Sequence, residues 1–347
     1  MDNLTHSLTG ALAAKLIETT FPALADEPAE HRKKFWLLVT SVNIPDIDVV
    51  LGLLGDPILA IHHHRGLTHS LLFASIFALL PAMIFFKLVK LKNFKTLWVY
   101  GLIGIYLHIF FDLITPFGTQ LFAPFSTARF SLDLMFIIDP FFTGVLGLTL
   151  LFGKIFKQRR RSFLFGGVFF AALYLLIEVV NHHRAYQLIE VALQRDNIAA
   201  TKISAFPQPL SIFRWMGLAQ TPDGVAQTFL SLLNDEKELS FTNYENANDE
   251  FVAKTLQAPE TKWYLTFARH PWIISERRGE QQVVELQDLQ FHIDKRLLQT
   301  AGIPIPERRS PFVFRYSIAL NDGSTEILFN GKLVRRNELK EPAAGTP

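Results

Sequence analysis

The sequence contains no cysteine, and charged residues make up 19% of it, below the roughly 25% typical of a soluble globular protein. The first absence excludes disulfides and thiolate-bound metals, and the second indicates that much of the chain lies outside water. In contrast, 49% of the 347 residues are hydrophobic and 32 are Phe, so the composition predicts an integral membrane protein. The net charge of +2 gives no argument for a nucleic-acid partner.

The N-terminal segment lacks the basic stretch with which a cleavable signal peptide begins. It starts MDNLTHSLTG, with Asp2 and His6 in the region where positive charge is typical. We therefore expect this segment to remain in the mature protein.

The hydrophobic residues are concentrated in long apolar runs. Four of them approach the roughly 20 residues that a helix needs to cross a bilayer: 70–89, 97–115, 134–152 and 163–180. Two shorter runs, 4–21 and 35–54, flank a loop with basic residues at 31–34 and predict an N-terminal helical hairpin. Polar residues and proline within these two runs leave open whether the hairpin spans the membrane fully. The expected fold begins with an α-helical membrane domain of about six helices.

Basic residues predict the orientation of these helices. Two further loops are rich in them, one with Lys87, Lys90, Lys92 and Lys95 and the other with Lys154, Lys157, Arg159, Arg160 and Arg161. Because such loops stay in the cytoplasm, the opposite helix ends face the outer side. We therefore expect a multi-pass protein whose C-terminal segment lies on the outer side.

The composition changes near residue 190, where charges become frequent and apolar runs shorten. Strand–turn–strand patterns surround TPDG at 221–224 and the Asn321-Asp322-Gly323 turn, and KWYLTFA, WIISERR and VVELQDLQFH predict further strands. Residues 246–256 predict a short helix. We expect a helical membrane domain at 1–189, a mainly β extramembrane domain at 190–340 and a disordered tail at 341–347.

Ionisable residues inside or at the edge of spanning helices cost roughly 2.5 to 3.5 kcal/mol to insert, so they mark candidate functional sites. The predicted topology gathers such residues at the outer end: His6, Asp46, Asp48, His64, His69, His108, Asp112 and Asp139. His108 and Asp112 are four residues apart and share one helical face. Imidazole and carboxylate groups at one depth predict a divalent-metal site, with Zn, Mn and Fe all compatible.

Several of these residues also have a simpler explanation. A single His/Asp pair in a helix can be a structural hydrogen bond, and Asp133 and Asp139 can be interfacial charges. His62 and His63 can be interfacial polar residues. A second group that could bind metal comprises Glu178, His182 and His183. The coincidence of many such residues at one membrane depth favours the site at the outer end.

Four motifs together resemble a known family. They are NLTHSLTGA around His6, PDID at 45–48, HRGLTHS at 64–70, and HIFFD at 108–112 followed by TPFGTQLFAPFS. Over about residues 1–190 they resemble the YdjM family of bacterial inner-membrane proteins, described as membrane-bound metal-dependent hydrolases. That family is distantly similar to the helical zinc-dependent phospholipase C and P1 nuclease group, which implies a polynuclear metal site acting on phosphoesters. The N-terminal amine that serves as a ligand in that group has no obvious counterpart here.

The resemblance implies a bacterial inner (cytoplasmic) membrane location, and the basic loops then predict that the site and the C-terminal domain lie on the periplasmic side. It implies, as metal ligands or their immediate surroundings, His6, Asp46, Asp48, His64, His69, His108 and Asp112. Zinc is the metal it favours. Arg65 would neutralise an anionic group of the substrate or bind a lipid headgroup.

The leading hypothesis is a hydrolase that cleaves a phosphoester or related bond by metal-activated water. Asp46 or Asp48 would take the proton, while the metal and Arg65 would hold the developing negative charge. A site at the membrane surface favours a lipid or lipid-linked substrate. The alternative is a non-catalytic metal-binding or ion-transport protein, which would need polar residues at several depths. The sequence leaves open the substrate, the role of the β domain, the protein partners and the oligomeric state.

Overall fold

The computed structural model divides the chain into two compact units. The residues it describes are 1–22, 28–50, 57–91, 93–233, 238–294, 296, 299 and 312–337. The first unit comprises Met1–Val50, His63–Arg184 and Phe206–Arg214, and the second comprises Leu51–His62, Ala185–Ala205 and Trp215–Pro347. The predicted tail at 341–347 and Lys92 of the first predicted lysine-rich loop lie outside the described residues.

The helices, in chain order, are α1 (Asn3–Thr20), α2 (Pro28–Ser41), α3 (Pro57–His63), α4 (Ala74–Phe77), α5 (Leu79–Lys87), α6 (Phe94–Leu113), α7 (Pro140–Ile155), α8 (Arg160–Arg195), α9 (Glu250–Gln257) and α10 (Pro259–Phe267). The strands are β1 (Lys202–Pro207), β2 (Arg214–Thr221), β3 (Gly224–Ser231), β4 (Thr242–Glu245), β5 (Pro271–Arg278), β6 (Gln281–Asp288), β7 (Val313–Ala319), β8 (Thr325–Phe329) and β9 (Lys332–Asn337). Short 3₁₀ turns lie at Pro45–Asp48, Leu67–His69, Lys157–Arg159 and Leu289–Phe291.

Within the described residues, two helices are long and apolar enough to cross a membrane: α6 and the segment Lys157–Arg195, which contains α8. A third candidate is the pair Ala60–His69 and Ala74–Lys87, bent by 81° at its break. The chain breaks there because Leu71 donates its backbone N–H to Leu121 across a loop rather than to a helical carbonyl. Membrane helices are thus confirmed, but the described residues contain two or three candidate spans and not the six helices expected.

The first two helices form the predicted N-terminal hairpin. Ala14 of α1 shares one hydrophobic cluster with Leu37 and Leu38 of α2. The basic residues 31–34, expected in the connecting loop, instead lie in the first half of α2. Pro28 explains this early start, because its fixed φ suits the first turn of a helix.

Glycines let three segments approach closely where the polar residues gather. A Cβ on Gly104 of α6 would lie 2.9 Å from the backbone nitrogen of Val42, just after α2. A Cβ on Gly10 of α1 would lie 2.8 Å from a methyl carbon of the same Val42. Small residues at such crossings are how membrane helices come into close contact. Gly104 precedes His108 by one turn and Gly10 follows His6 by one turn, so this packing also brings the two histidines together.

The second unit contains two antiparallel sheets, ordered β1-β2-β3-β4 and β5-β6-β7-β8-β9, which confirms the mainly β prediction. The expected Asn321–Gly323 turn joins β7 to β8, with Gly323 at φ 69°. Residues Ala185 and Ile189 at the end of α8 pack against Trp215 in the core of this unit. The predicted boundary near residue 190 stays a prediction, because α8 passes through it without a break.

The segment KWYLTFA is a helix, so its prediction as a strand is wrong. It forms most of α10, where Tyr264 and Phe267 lie one turn apart and are almost completely buried. Tyr264 stacks on Phe314 of β7 with ring centroids 5.5 Å apart. Burial of this helical face overrides the strand preference of its aromatic residues. The predicted helix at 246–256 is confirmed as α9, whose start is capped by Asp249.

His270, directly before β5, is a buried titratable group of the second unit. It is 0% exposed, and its Nε2 lies 3.0 Å from Ser204 Oγ. Burial, assisted by the positive charges of Lys202 and Arg269, lowers its pKa from 6.5 to about 3. Below pH 6.5 the unfolded chain therefore binds a proton that the folded unit does not, and stability falls with falling pH.

We expect the wild type to lose about 1.4 kcal/mol of unfolding free energy per pH unit below pH 6 relative to His270→Gln. The substitution removes the titration while retaining a hydrogen-bonding side chain at the position. Urea unfolding in detergent micelles between pH 6 and pH 4.5, followed by tryptophan fluorescence, measures the difference. The same pH dependence in both proteins would contradict the prediction.

Candidate metal centre

Polar side chains from four parts of the first unit meet at one place. They are His6 on α1, Asp46 and Asp48 in the Pro45–Asp48 turn, His64 and His69 in the segment before α4, and His108 and Asp112 on α6. Four of these residues, His6, His69, His108 and Asp112, are 0% exposed. A buried collection of acceptors on this scale needs cations or donors to compensate for the lost solvation.

Two groups within this collection have the geometry to hold a metal ion. Ligand atoms of Asp46, His69, His108 and Asp112 all lie within 4.8 Å of one another, and so do those of Asp46, Asp48 and His64. Asp46 belongs to both groups. Nitrogen and oxygen ligands of this kind suit Zn, Mn or Fe, and the set alone does not select among them.

The first group is tight at its centre. His69 Nε2 lies 3.0 Å from His108 Nε2 and 3.1 Å from Asp112 Oδ2. Asp46 Oδ1 lies 3.4 Å from His108 Nε2 and 3.7 Å from His69 Nε2. Two imidazole nitrogens and two carboxylate oxygens therefore face one another at short range.

The proton on His108 can be assigned from its hydrogen bond on the opposite side of the ring. His108 Nδ1 lies 2.7 Å from the carbonyl oxygen of Val42. A carbonyl only accepts, so Nδ1 donates, and in the neutral ring Nε2 carries a lone pair toward the cluster.

The same reasoning applies to His69 through a chain of two hydrogen bonds. The Thr68 hydroxyl donates its proton to Asp48 Oδ2 at 2.8 Å, and its oxygen lies 2.9 Å from His69 Nδ1. Because that hydroxyl proton is already used, Nδ1 of His69 must donate, and its Nε2 also presents a lone pair inward.

Two lone pairs facing each other at 3.0 Å repel unless a proton or a metal ion lies between or beside them. Ligand histidines characteristically donate their other N–H to a carbonyl or to a polar side chain, as both of these do. The residues present therefore fit a divalent cation, on the evidence of their proton arrangement as well as their residue types.

Asp112 connects the cluster to two basic groups. Its Oδ1 forms an ion pair with the α-amino group of Met1, and its Oδ2 lies 2.9 Å from Arg65 Nε. His6 Nε2 lies 3.2 Å from Oδ1, and the His6 ring stacks on His108 with centroids 3.9 Å apart. These contacts balance the charge of a carboxylate that is completely buried.

Asp48, a member of the second group, accepts several hydrogen bonds. His64 Nδ1 lies 2.9 Å from its Oδ1, while its Oδ2 accepts from the backbone N–H of Arg65 at 3.0 Å and from Thr68. Burial opposes ionisation of Asp48, but the hydrogen bonds and the charge of His64 outweigh it and lower the pKa of the carboxyl group. Asp48 is therefore an ionised, well-oriented carboxylate.

Arg65 is an internal partner of the cluster rather than a side chain open to solvent. It is 3% exposed, donates from Nη1 to Thr115 Oγ1 at 2.9 Å, and lies over the Phe117 ring at 4.8 Å. Its φ of 57° is sparsely populated for a non-glycine residue and has an energetic cost. The sequence predicts that Arg65 contacts an anionic substrate. Its position in the structure suits it better to orient Asp112.

Asp139 is not brought into either metal group. It caps the start of α7, where Oδ1 accepts from the backbone N–H groups of Phe141 and Phe142 at 2.9 Å. Its Oδ2 accepts from the Tyr174 hydroxyl at 2.6 Å. The carboxylate predicted as a ligand thus has a structural role at a helix N-terminus. The other residues considered for metal binding that neither group contains are His62, His63, Glu178, His182 and His183.

Three contributors escaped the sequence analysis. The first is the α-amino group of Met1, the second the carbonyl of Val42, and the third Arg129, which donates to the carbonyl oxygens of His64 and Gly118. Burial and the neighbouring charge of Arg65 lower the pKa of the Arg129 guanidinium to about 10. Backbone groups carry no sequence signal, and Arg129 lies outside the four motifs that carry the family resemblance.

The fold and the cluster define a helical integral-membrane protein with a candidate divalent-metal centre. The sequence profile of the YdjM inner membrane protein family matches residues 1–185, which is more than half of the chain. The chain therefore belongs to the YdjM inner membrane protein family, as the resemblance of its motifs predicted.

One relative is similar to part of this chain. The uncharacterized protein YfhP of Bacillus subtilis (strain 168) is 32% identical over 141 residues, which is 41% of this chain and 42% of that protein. This chain thus spans less than half of that relative's length. No solved structure matches significantly. The expected distant similarity to phospholipase C and P1 nuclease is not shown by these comparisons.

We expect His69→Ala to lower the affinity for divalent metal by at least about tenfold, because one of four converging ligand atoms is lost. His63→Ala is the matched control, since His63 directly precedes the HRGLTHS motif but is exposed and outside both groups. Elemental mass spectrometry of the detergent-purified proteins, after equilibration with zinc, gives bound metal per chain. Equal metal content in the two variants, with both folded by circular dichroism, would rule out His69 as a ligand.

Proposed function

We propose that the protein is an integral-membrane metal-dependent hydrolase that cleaves a phosphoester or related bond in a lipid or lipid-linked substrate. The observation that carries the proposal is the sharing of Asp46 between two ligand groups. A carboxylate common to two adjacent metal positions is typical of hydrolytic sites that clamp a phosphoryl group. Zinc is the metal we propose, with manganese and iron as alternatives.

The residues that would hold the metal are Asp46, His69, His108 and Asp112 for one ion and Asp46, Asp48 and His64 for the other. Bound divalent ions would supply Lewis acidity and a water of lowered pKa. His6 and Arg65 support the first group by contacting Asp112, so we assign them to positioning rather than to direct substrate contact.

Asp46 is the best placed proton acceptor among these carboxylates. Its Oδ1 faces His69 and His108, whereas its Oδ2 accepts from the exposed Asn3 side chain at 3.2 Å. Its side chain is 14% exposed, compared with 0% for Asp112 and 3% for Asp48. It can therefore exchange a proton with a group arriving from outside, which the buried carboxylates cannot do as readily.

The surface around the ligands supports a lipid substrate. Ile47, between Asp46 and Asp48, is 52% exposed, and Val49, directly after Asp48, is 51% exposed. Leu67 within HRGLTH is 41% exposed. Exposed apolar side chains next to a polar centre are characteristic of a surface that meets lipid. The substrate could then reach the centre from the bilayer without leaving it completely.

We expect zinc-loaded wild type in proteoliposomes to hydrolyse a phosphodiester lipid, with the released headgroup measured by phosphorus NMR. Asp46→Asn should lower the rate by at least about 100-fold, because the proton acceptor and a shared ligand are both altered. Asp139→Asn is the matched control and should retain most activity, since Asp139 lies outside both groups. Equal loss in the two variants would remove Asp46 from its proposed role. Metal flux into the vesicles without hydrolysis would favour a transporter instead.

We also propose that the metal centre and the second unit face the periplasm, on the basis of the basic residues in the loops. The absence of native cysteine permits a direct test by single-cysteine labelling. In intact cells a membrane-impermeant maleimide should label Asn321→Cys in the β7–β8 turn but not Gln158→Cys in the basic turn before α8. Both positions are exposed, so accessibility within the fold is matched. Labelling of Gln158→Cys alone would reverse the orientation.

A further inference from the structure

A groove between α7 and α8 lies outside the metal centre and has no part in the proposed hydrolysis. Its volume is about 550 Å³. One face of each helix lines it: Val145, Leu148, Thr149 and Phe152 from α7, and Ser162, Phe163, Gly166, Gly167 and Phe170 from α8, with Arg159 at the end. Both sets recur at intervals of three and four residues, so the groove runs along the two helix axes. The α7 part extends for roughly 10 Å, from the rise of 1.5 Å per residue.

Glycines explain why this groove exists. A Cβ on Gly167 would overlap the side chain of Thr149, so the two helices are in close contact at that level. A Cβ on Gly166, one residue earlier, would meet no heavy atom within 4 Å. The helices α7 and α8 are thus in contact at Gly167, and the missing side chain at Gly166 leaves open space beside that contact.

The end of the groove is strongly basic. Arg159 lines it, and Lys157 in the same turn, Lys154 near the end of α7 and Arg161 at the start of α8 lie within five residues of Arg159. Arg160 forms an ion pair with Glu18, 3.3 Å apart. In the part of the chain that the structure describes, no ion pair joins an acidic side chain to Arg159 or Lys157. An apolar channel with unbalanced positive charge at one end complements an acyl chain joined to an anionic headgroup.

We propose that this groove is a binding site for an anionic phospholipid, with an acyl chain between α7 and α8 and the phosphate against Arg159. In a bilayer an acyl chain gains little from exchanging one apolar environment for another. Selectivity for the anionic lipid therefore comes from the headgroup, and the groove determines where that lipid is held. Basic pockets between membrane helices bind anionic headgroups by the same combination of charge and shape.

The first arm of the test fills the groove. Full-length wild type, Gly166→Phe and Gly147→Phe are purified in detergent, incubated with phosphatidylglycerol, and analysed by native mass spectrometry for retained lipid. Gly147 is the matched control, because a Cβ there also meets nothing within 4 Å but the residue does not line the groove. We expect Gly166→Phe to lower the retained lipid about tenfold, with Gly147→Phe close to wild type.

The second arm removes the charge. Arg159→Gln is compared with Arg161→Gln, in which Arg161 lies over the Phe165 ring rather than in the groove. We expect Arg159→Gln to reduce the preference for phosphatidylglycerol over phosphatidylcholine about fivefold, and Arg161→Gln to reduce it less.

Two results would overturn the proposal. Retention of lipid by Gly166→Phe at the wild-type level would show that the groove is not occupied. Equal effects of Arg159→Gln and Arg161→Gln would show attraction to a basic surface without a defined site. Circular dichroism and thermal unfolding of each variant without added lipid establish that lost binding does not reflect lost folding.

Discussion

Two imidazole nitrogens that face each other across 3.0 Å are the contact on which the arrangement of the centre depends. The Val42 carbonyl and the Thr68 hydroxyl oxygen accept hydrogen bonds from Nδ1 of His108 and of His69, and so direct both Nε2 lone pairs to the interior. Such a pair is unfavourable in a buried site unless a proton or a metal ion bridges it. The hydrogen bonds to the two Nδ1 atoms thus point both Nε2 lone pairs at the position where a positive ion would bind.

The surrounding charges are organised around the same requirement. Asp112, completely buried on α6, is balanced by Arg65 and the amino group of Met1, while Asp48 is held by His64 and Thr68. These partners orient the carboxylates and limit the net negative charge that burial would otherwise penalise. Asp46 remains as the carboxylate with exposure on one side, and it belongs to both metal groups. Its position links the two halves of the centre.

Close helix packing and an interrupted helix both serve this geometry. Gly10 and Gly104 allow α1 and α6 to approach Val42, which brings His6, His108 and a backbone carbonyl into contact. The apolar run at 70–89 cannot continue as one straight helix with the preceding segment, because the chain at Leu71 pairs with Leu121. Just before that break, His69 is completely buried and contacts His108 and Asp112 of α6.

The sequence by itself determined the membrane character, the β unit and seven residues that converge around the cluster: His6, Asp46, Asp48, His64, His69, His108 and Asp112. These follow from hydropathy, turn residues and residue type, which are local properties of the chain. Only the tertiary structure showed that Asp139 caps α7, that Arg65 binds Asp112, and that KWYLTFA is helical. The physical reason is that each of these outcomes depends on a partner distant in sequence, a helix N-terminus, a buried carboxylate or the face of a sheet, and local pattern carries no information about such partners.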